Sequence, residues 1–374
     1  MSLTTLTEIS RYYGANPDYI LAGGGNTSFK DGETLYIKGS GMSLAGAVPE
    51  GFVKMDRKAL AAIWDKTYPK ASAERESAVL ADMMAARKPG EEQKRPSVET
   101  LLHDMLPFAY VVHTHPALVN GLTCSRRGEE EAAAIFGDDV LWIPSTNPGY
   151  VLSKVVKTAM DAYSAKRGKP AEIIFLQNHG VFAGADSAEG IKAIYGKIME
   201  KIGGRIKRRP EFSNETGEKG SSAAIGKTLS TLAGGKAAFL CNNEIAALVK
   251  NSASFAPVSS AFNPDQIVYA GSDPLFTGAD TETTLGETAL QEAWKKHAEK
   301  TGRAPKIVAV QGLGVFGAGP SEKAAALALE LFRDAVKIAV YAESFGGPLF
   351  MTKDQIDFIN NWEVEHFRSS VSSK

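Results

Sequence analysis

The sequence predicts an α/β protein in two parts. Short apolar runs of strand length alternate with longer helical patterns, a polar stretch at 210–222 interrupts them once, and the residues beyond it repeat a strand-turn-strand-helix pattern seen before it. With 374 residues there is room for one large or two ordinary domains. A composition of 44% hydrophobic and 23% charged residues supports a sizeable core and excludes full-length disorder.

Taken in order, residues 3–13 read as an amphipathic helix, followed by the glycine-rich GGGNTS at 23–28. Alternation in TSFK and TLYIK brackets Asp31-Gly32, a dipeptide whose preference for positive φ closes a tight hairpin. KGSG at 38–41 ends the second strand, and helical patterns cover 55–68 and 72–88. After the loop KPGEEQKRP, the segment SVETLLHDML predicts a short helix starting on Ser97 as its N-cap. AYVVHTH, VLWIP (140–144) and EIIFLQ (172–177) are strands, with helices near 150–166 and 187–208. PEFSNETGEKGSS at 210–222 is the most linker-like segment, which divides the chain into 1–209 and 223–374. Across that divide EIIFLQNHGVFAGADSAE (172–189) compares with KIVAVQGLGVFGAGPSEK (306–323). Upstream, DDVLWIP compares with DQIVYAG (265–271) at a shorter interval, as expected had a loop grown between two parallel units. Residues 223–374 thus read as a partial, diverged copy of the first part's later half.

Lys+Arg 42 against Asp+Glu 43 gives a net charge of -1, which supplies no general attraction to nucleic acid or an anionic membrane. No apolar run approaches the roughly 18–20 residues that span a bilayer. Cys124 and Cys241 are the only cysteines and no secretory leader opens the chain, so a cytoplasmic protein is expected.

The sharpest chemical pattern is His113-Thr114-His115-Pro116 with Asn178-His179-Gly180 downstream. Residues i and i+2 of a strand share a face, so His113 and His115 can offer two imidazoles to one ion. His179, at the end of another apolar strand, adds a third and leaves a coordination position open on zinc or a similar divalent ion, as catalytic sites require. Taken alone, HTH more often marks two satisfied or surface histidines. Glu99 is the candidate acid/base, on the segment leading into the HTH strand; a first-turn glutamate favoured by the helix dipole is the competing explanation. His103 is assigned no role.

GGGNTS and KGSG suit anion cradles, because glycines let backbone N–H groups approach closely and Asn, Ser and Thr add donors; Ser97 would add another. Such turns are more often only turns, and Lys38 could neutralise a phosphate or face water. Gly312-Leu313-Gly314-Val315-Phe316-Gly317 has dinucleotide-fingerprint spacing, yet a helix is expected only from Pro320 onward, which argues against a nucleotide. The basic run Lys197, Lys201, Arg205, Lys207, Arg208, Arg209 reads as a solvated helix end. Downstream of residue 222 only His297 and His366 remain, too far apart to suggest a ligand pair.

GGGNTS, LYIKGSG, RPSVETLLH, VVHTHP, WIPSTNPGYVLSKVV and NHGVFAGA, in this order, resemble the class II aldolase/adducin family, most of all the aldolase portion of bifunctional rhamnulose-1-phosphate aldolase/alcohol dehydrogenases. The likeness runs over about 20–205, with a weaker one through VQGLGVFGAG to WEVEHF. It implies an α/β/α three-layer fold with a mostly antiparallel central sheet, usually in a homotetramer. It also implies zinc or another divalent metal on His113, His115 and His179, and Glu99 as the acid/base. Asn26, Ser40, Gly41 and Ser97 fall where the family binds the phosphate of dihydroxyacetone phosphate. Simpler members carry paired serines where this chain has Ser97-Val98, so one hydroxyl donor is missing. The activity implied is cleavage of a ketose 1-phosphate to dihydroxyacetone phosphate and an aldehyde. The alternatives are a sugar-phosphate 4-epimerase or dehydratase, or a silent adducin-like assembly module.

Overall fold

Asp31 and Thr34 face each other across the first hairpin, closed by Gly32 at φ 48°, so the Asp-Gly signal places the turn where expected. The computed structural model describes residues 2–217, 220–278 and 285–362. These divide into two compact units, the first built from residues within 1–123, 127–205 and 361–372, the second from residues within 124–126, 206–360 and 373–374.

The first unit is a seven-stranded sheet of β1 (Asn26–Asp31), β2 (Thr34–Lys38), β3 (Phe52–Asp56), β4 (Tyr110–Thr114), β5 (Leu141–Ile143), β6 (Ile173–Leu176) and β7 (Gly180–Ala185). Its order is β3-β2-β1-β4-β7-β6-β5, antiparallel except where β5 runs parallel to β6. Helices cover both faces. Leu3–Gly14 and Ala188–Gly203 pack on one, where Tyr13 meets Tyr195 and Thr114 donates to the Tyr195 hydroxyl. Thr100–Met105 and Tyr150–Arg167 close the other, over a core of Leu102, Val111, Ile174, Leu176 and Phe182. Strand alternation makes this possible: in β4, Val111 and His113 face the second layer while Thr114 faces the first. This is the three-layer, mostly antiparallel α/β architecture.

Two local expectations change. Residues 52–56 are the strand β3, and the helix expected from 55 starts at Arg57, where Asp56 caps it by accepting from the Lys58 and Ala59 N–H groups. The short helix expected from Ser97 starts at Thr100 with Glu99 at the cap position; Ser97 instead accepts the Glu99 N–H at 3.3 Å.

The second unit holds β8 (Lys236–Leu240), β9 (Leu275–Thr277), β10 (Ile307–Val310) and β11 (Gly314–Gly319) in the order β8-β11-β10-β9. Ile173, Gly180 and Leu141, which open β6, β7 and β5, each have a counterpart 134 residues on, in Ile307, Gly314 and Leu275. The counterpart of VLWIP is therefore β9, with no loop grown between. DQIVYAG is a helix, Pro264–Ala270, because Asn263 caps it and Pro264 occupies its first position; an apolar run that short does not distinguish strand from helix by pattern alone. The stretch expected to link the parts is tied into the second unit: Thr216 donates to Cys241 O at 2.9 Å and Asn243 to Ser213 O at 3.1 Å. The GLGVFG segment is turn and strand, and the helix starts only at Glu322, so the segment does not open a helix as the dinucleotide fingerprint requires. WEVEHF beyond Trp362, with His366, lies outside the described residues.

Candidate active site

Asn26 on β1 pairs directly with His113 on β4, and His113 with Phe182 on β7, so three side chains form a row across the sheet. The row faces the helix Thr100–Met105. Phe182 stacks on the His113 ring at 4.0 Å and 14°, holding the imidazole upright. His113 Nδ1 lies 3.0 Å from Val181 O; donating there fixes the tautomer and leaves Nε2 its lone pair.

His115 sits one residue past the end of β4, its N–H on Tyr19 O, and its Nε2 lies 2.9 Å from His113 Nε2. His179 occupies the tight turn between β6 and β7. That turn needs a left-handed residue, and Asn178 supplies it at φ 57°, a conformation asparagine tolerates better than most. The three imidazoles offer ligand atoms within 4.8 Å of one another. Imidazole nitrogens so close, one with its tautomer fixed from behind, call for a shared proton or cation, and the donor set suits a divalent transition metal.

Gly180 makes room for them. A Cβ there would lie 2.5 Å from Thr114 O and 2.6 Å from His115 Cδ2. Gly25 does the same beneath the strand, where a Cβ would meet His113 O at 2.6 Å in a backbone at φ 63°.

Glu99 is 5% exposed. Its Oε2 accepts the Asn26 amide N–H at 2.6 Å. Its Oε1 is buried with no hydrogen-bond partner, 3.5 Å from His113 Nε2 and 3.6 Å from His179 Nε2. One oxygen is pinned and the other aimed at the histidine cluster, with backbone angles of φ -92° and ψ 14° in the sparsely populated bridge region where active-site residues recur.

The expected anion donors fall in two places. Asn26 has its side chain between Glu99 and His103. The KGSG turn lies beside Ser97: Lys38 O accepts the Ser97 N–H at 3.2 Å, Ser40 N donates to Arg95 O at 2.7 Å, and Gly41 takes φ 90°. Along the basic run, Lys197 pairs with Asp139 at 2.9 Å and Arg208 with Glu244 at 2.8 Å.

Sequence reasoning passed over Gly180, Phe182 and His103. His103 is fully buried, its Nδ1 2.7 Å from Ser28 Oγ and its Nε2 on Asn26 Oδ1, and burial pushes its pKa well below the usual imidazole range. The available signal was its spacing of four from Glu99, which puts both on one helix face.

Parts of the chain are similar to known proteins. An uncharacterized oxidoreductase, YuxG, of Bacillus subtilis strain 168 is 23% identical over 396 aligned residues, covering 94% of this chain and 55% of the relative, so the chain spans about half that protein's length. Among solved structures, the N-terminal class II aldolase domain of a conserved Thermoplasma acidophilum protein is 27% identical (TM-score 0.47, 55% of this chain, 94% of that one). L-fuculose-1-phosphate aldolase of Thermus thermophilus is 16% identical (TM-score 0.34, 54% and 91%). Residues 5–195, half of the chain and the part that carries Glu99 and the three histidines, match the class II aldolase and adducin N-terminal domain family, and the chain belongs to that family.

Proposed function

We propose that the protein is a metal-dependent lyase that reversibly cleaves a ketose 1-phosphate, of the rhamnulose-1-phosphate kind, to dihydroxyacetone phosphate and an aldehyde. The observation that carries this is the free Oε1 of Glu99 beside three converging imidazoles. His113, His115 and His179 would hold zinc or another divalent ion, which when bound acts as a Lewis acid on the ketone and adjacent hydroxyl oxygens of the sugar. In the bond-making direction Glu99 Oε1 takes the proton from the carbon next to the carbonyl, and in cleavage it returns it. Oε2 stays on Asn26, so the carboxylate keeps its aim through both states. For the phosphate we assign the turn at Ser40 and Gly41 with Ser97 beside it. Asn26 is reassigned to the carboxylate, since both ends of its amide are engaged there.

A net charge of -1 and two cysteines not joined in a disulfide support a cytoplasmic enzyme without nucleic-acid or membrane partners, working as a homo-oligomer like its family. Among the described residues no helix is long and apolar enough to cross a membrane. Product analysis on a panel of ketose 1-phosphates, with zinc, cobalt or manganese restored, tests the reading. Dihydroxyacetone phosphate is the expected product. An isomeric sugar phosphate would make it an epimerase, loss of water a dehydratase, and no metal uptake together with no turnover an assembly module.

A further inference from the structure

We propose that His103 is a positioning residue for the proton transfer: it locks the amide of Asn26, which holds one oxygen of Glu99 and leaves the other aimed at the imidazole cluster. The inference deepens the lyase reading and rests on it.

Hydrogen-bond chemistry dictates the direction of the chain. Asn26 donates its NH2 to Glu99 Oε2, 2.6 Å away. Its carbonyl oxygen then faces His103 Nε2, which must carry the ring's proton. The buried imidazole is neutral and has a single N–H, so Nδ1 is left as an acceptor and takes the Ser28 hydroxyl proton at 2.7 Å. Ser28 and Asn26 can both serve because they are two residues apart on β1 and share its inner face. The order is thus Ser28 to His103 to Asn26 to Glu99, every donor pointing one way. Without His103, the buried Asn26 carbonyl oxygen loses its donor, and the amide is held only at the end that meets Glu99.

A second observation separates this from simple packing. Counting back ungapped from the paired strands β4 and β8, where His113 corresponds to Phe239, Glu99 corresponds to Ile225 and His103 to Leu229. Leu229 is fully buried, so that position takes an apolar side chain without loss of the fold. Where the carboxylate is gone the imidazole is gone too, which fits a group kept for Glu99 rather than for the core. Its edge contact with Phe182 at 5.4 Å is one a leucine could replace.

The test combines NMR of the wild-type protein carrying 15N-labelled histidine with two variants, His103→Leu and His103→Gln. The chain requires His103 to be the neutral Nε2–H tautomer from pH 6 to 8. His103→Leu should lose about 10- to 100-fold in kcat, the scale on which a misplaced catalytic group is felt, with KM and metal content unchanged. His103→Gln, whose amide can donate to Asn26, should recover most of that loss. An Nδ1–H tautomer, or a leucine variant that folds and turns over like wild type, would overturn the proposal, as would a glutamine variant no better than leucine. If wild type cleaves no ketose phosphate, the lyase reading falls by itself, and the tautomer still decides whether His103 orients Asn26.

Discussion

Strands β4, β7, β6 and β5 have in β8, β11, β10 and β9 a copy with the same neighbours and register, and the two sets part company where side chains leave the strand ends. Ile174 faces Phe182 in the first unit and Val308 faces Phe316 in the second; Leu141 lies beside Ile174 and Leu275 beside Val308. The positions of His113, His115 and His179 are taken by Phe239, Cys241 and Leu313. Phe316 packs on Phe239 at 4.9 Å where Phe182 stacks on His113. The apolar strand pattern alone sustains this arrangement. The histidine cluster is an addition to it, and burying polar groups is unfavourable unless each finds a partner. Among the described residues the second sheet also has no strand beyond β8 where β1 flanks β4. Asn26 and Ser28 live on β1, so among the described residues the copy has neither ligands nor the chain that aims a carboxylate.

The most severe way to break the comparison is Glu99→Gln. The amide keeps the shape but cannot take up a proton, so turnover should fall by about 10²- to 10⁴-fold with fold and metal intact. Ile225→Val at the counterpart position should leave steady-state cleavage untouched. A glutamine variant close to wild-type rate would move the acid/base role elsewhere.

Next come His113→Ala, His115→Ala and His179→Ala, each expected to strip most of the metal because two imidazoles are too few for an open site. Elemental analysis of the purified proteins checks it, and full occupancy in all three would remove the assignment. The same measurement on wild type should find one tightly held metal per chain; two would mean that the second unit has ligands of its own.

Gly180→Ala and Gly314→Ala sharpen the contrast. Both should destabilise, since each new Cβ meets atoms at 2.5–2.9 Å, Thr114 O and His115 Cδ2 for one, Phe239 Cε2 and Leu240 O for the other. Only the first should also weaken metal binding, measured by competition with a chelator, because only it displaces an imidazole. Asn178→Gly carries the smallest effect. Its counterpart Gly312 holds the same left-handed turn at φ 73°, so denaturant unfolding should change by about 1 kcal/mol or less, with metal retained.

Much of this could be read from residue order alone. Period-two spacing marked His113 with its neighbour His115, and Asp31-Gly32 marked the hairpin. Local pattern failed where a short apolar run suits two structures, as at 264–270, where the Asn-Pro start signal outweighs it. It failed again at 52–56, where a strand enters the helix directly through Asp56.

By itself, then, the sequence determined which groups are present, which share a strand face or helix face, and that the ligand positions are not repeated. Only the tertiary structure decided what each group faces. Asn26 meets Glu99 across 73 residues of chain and His103 across 77, because β1 crosses to pair with β4. That pairing sets which glutamate oxygen is held and which is free. Contacts between strands distant in the chain have no signature in local spacing, since periodicity places a side chain on a face without saying what that face will meet.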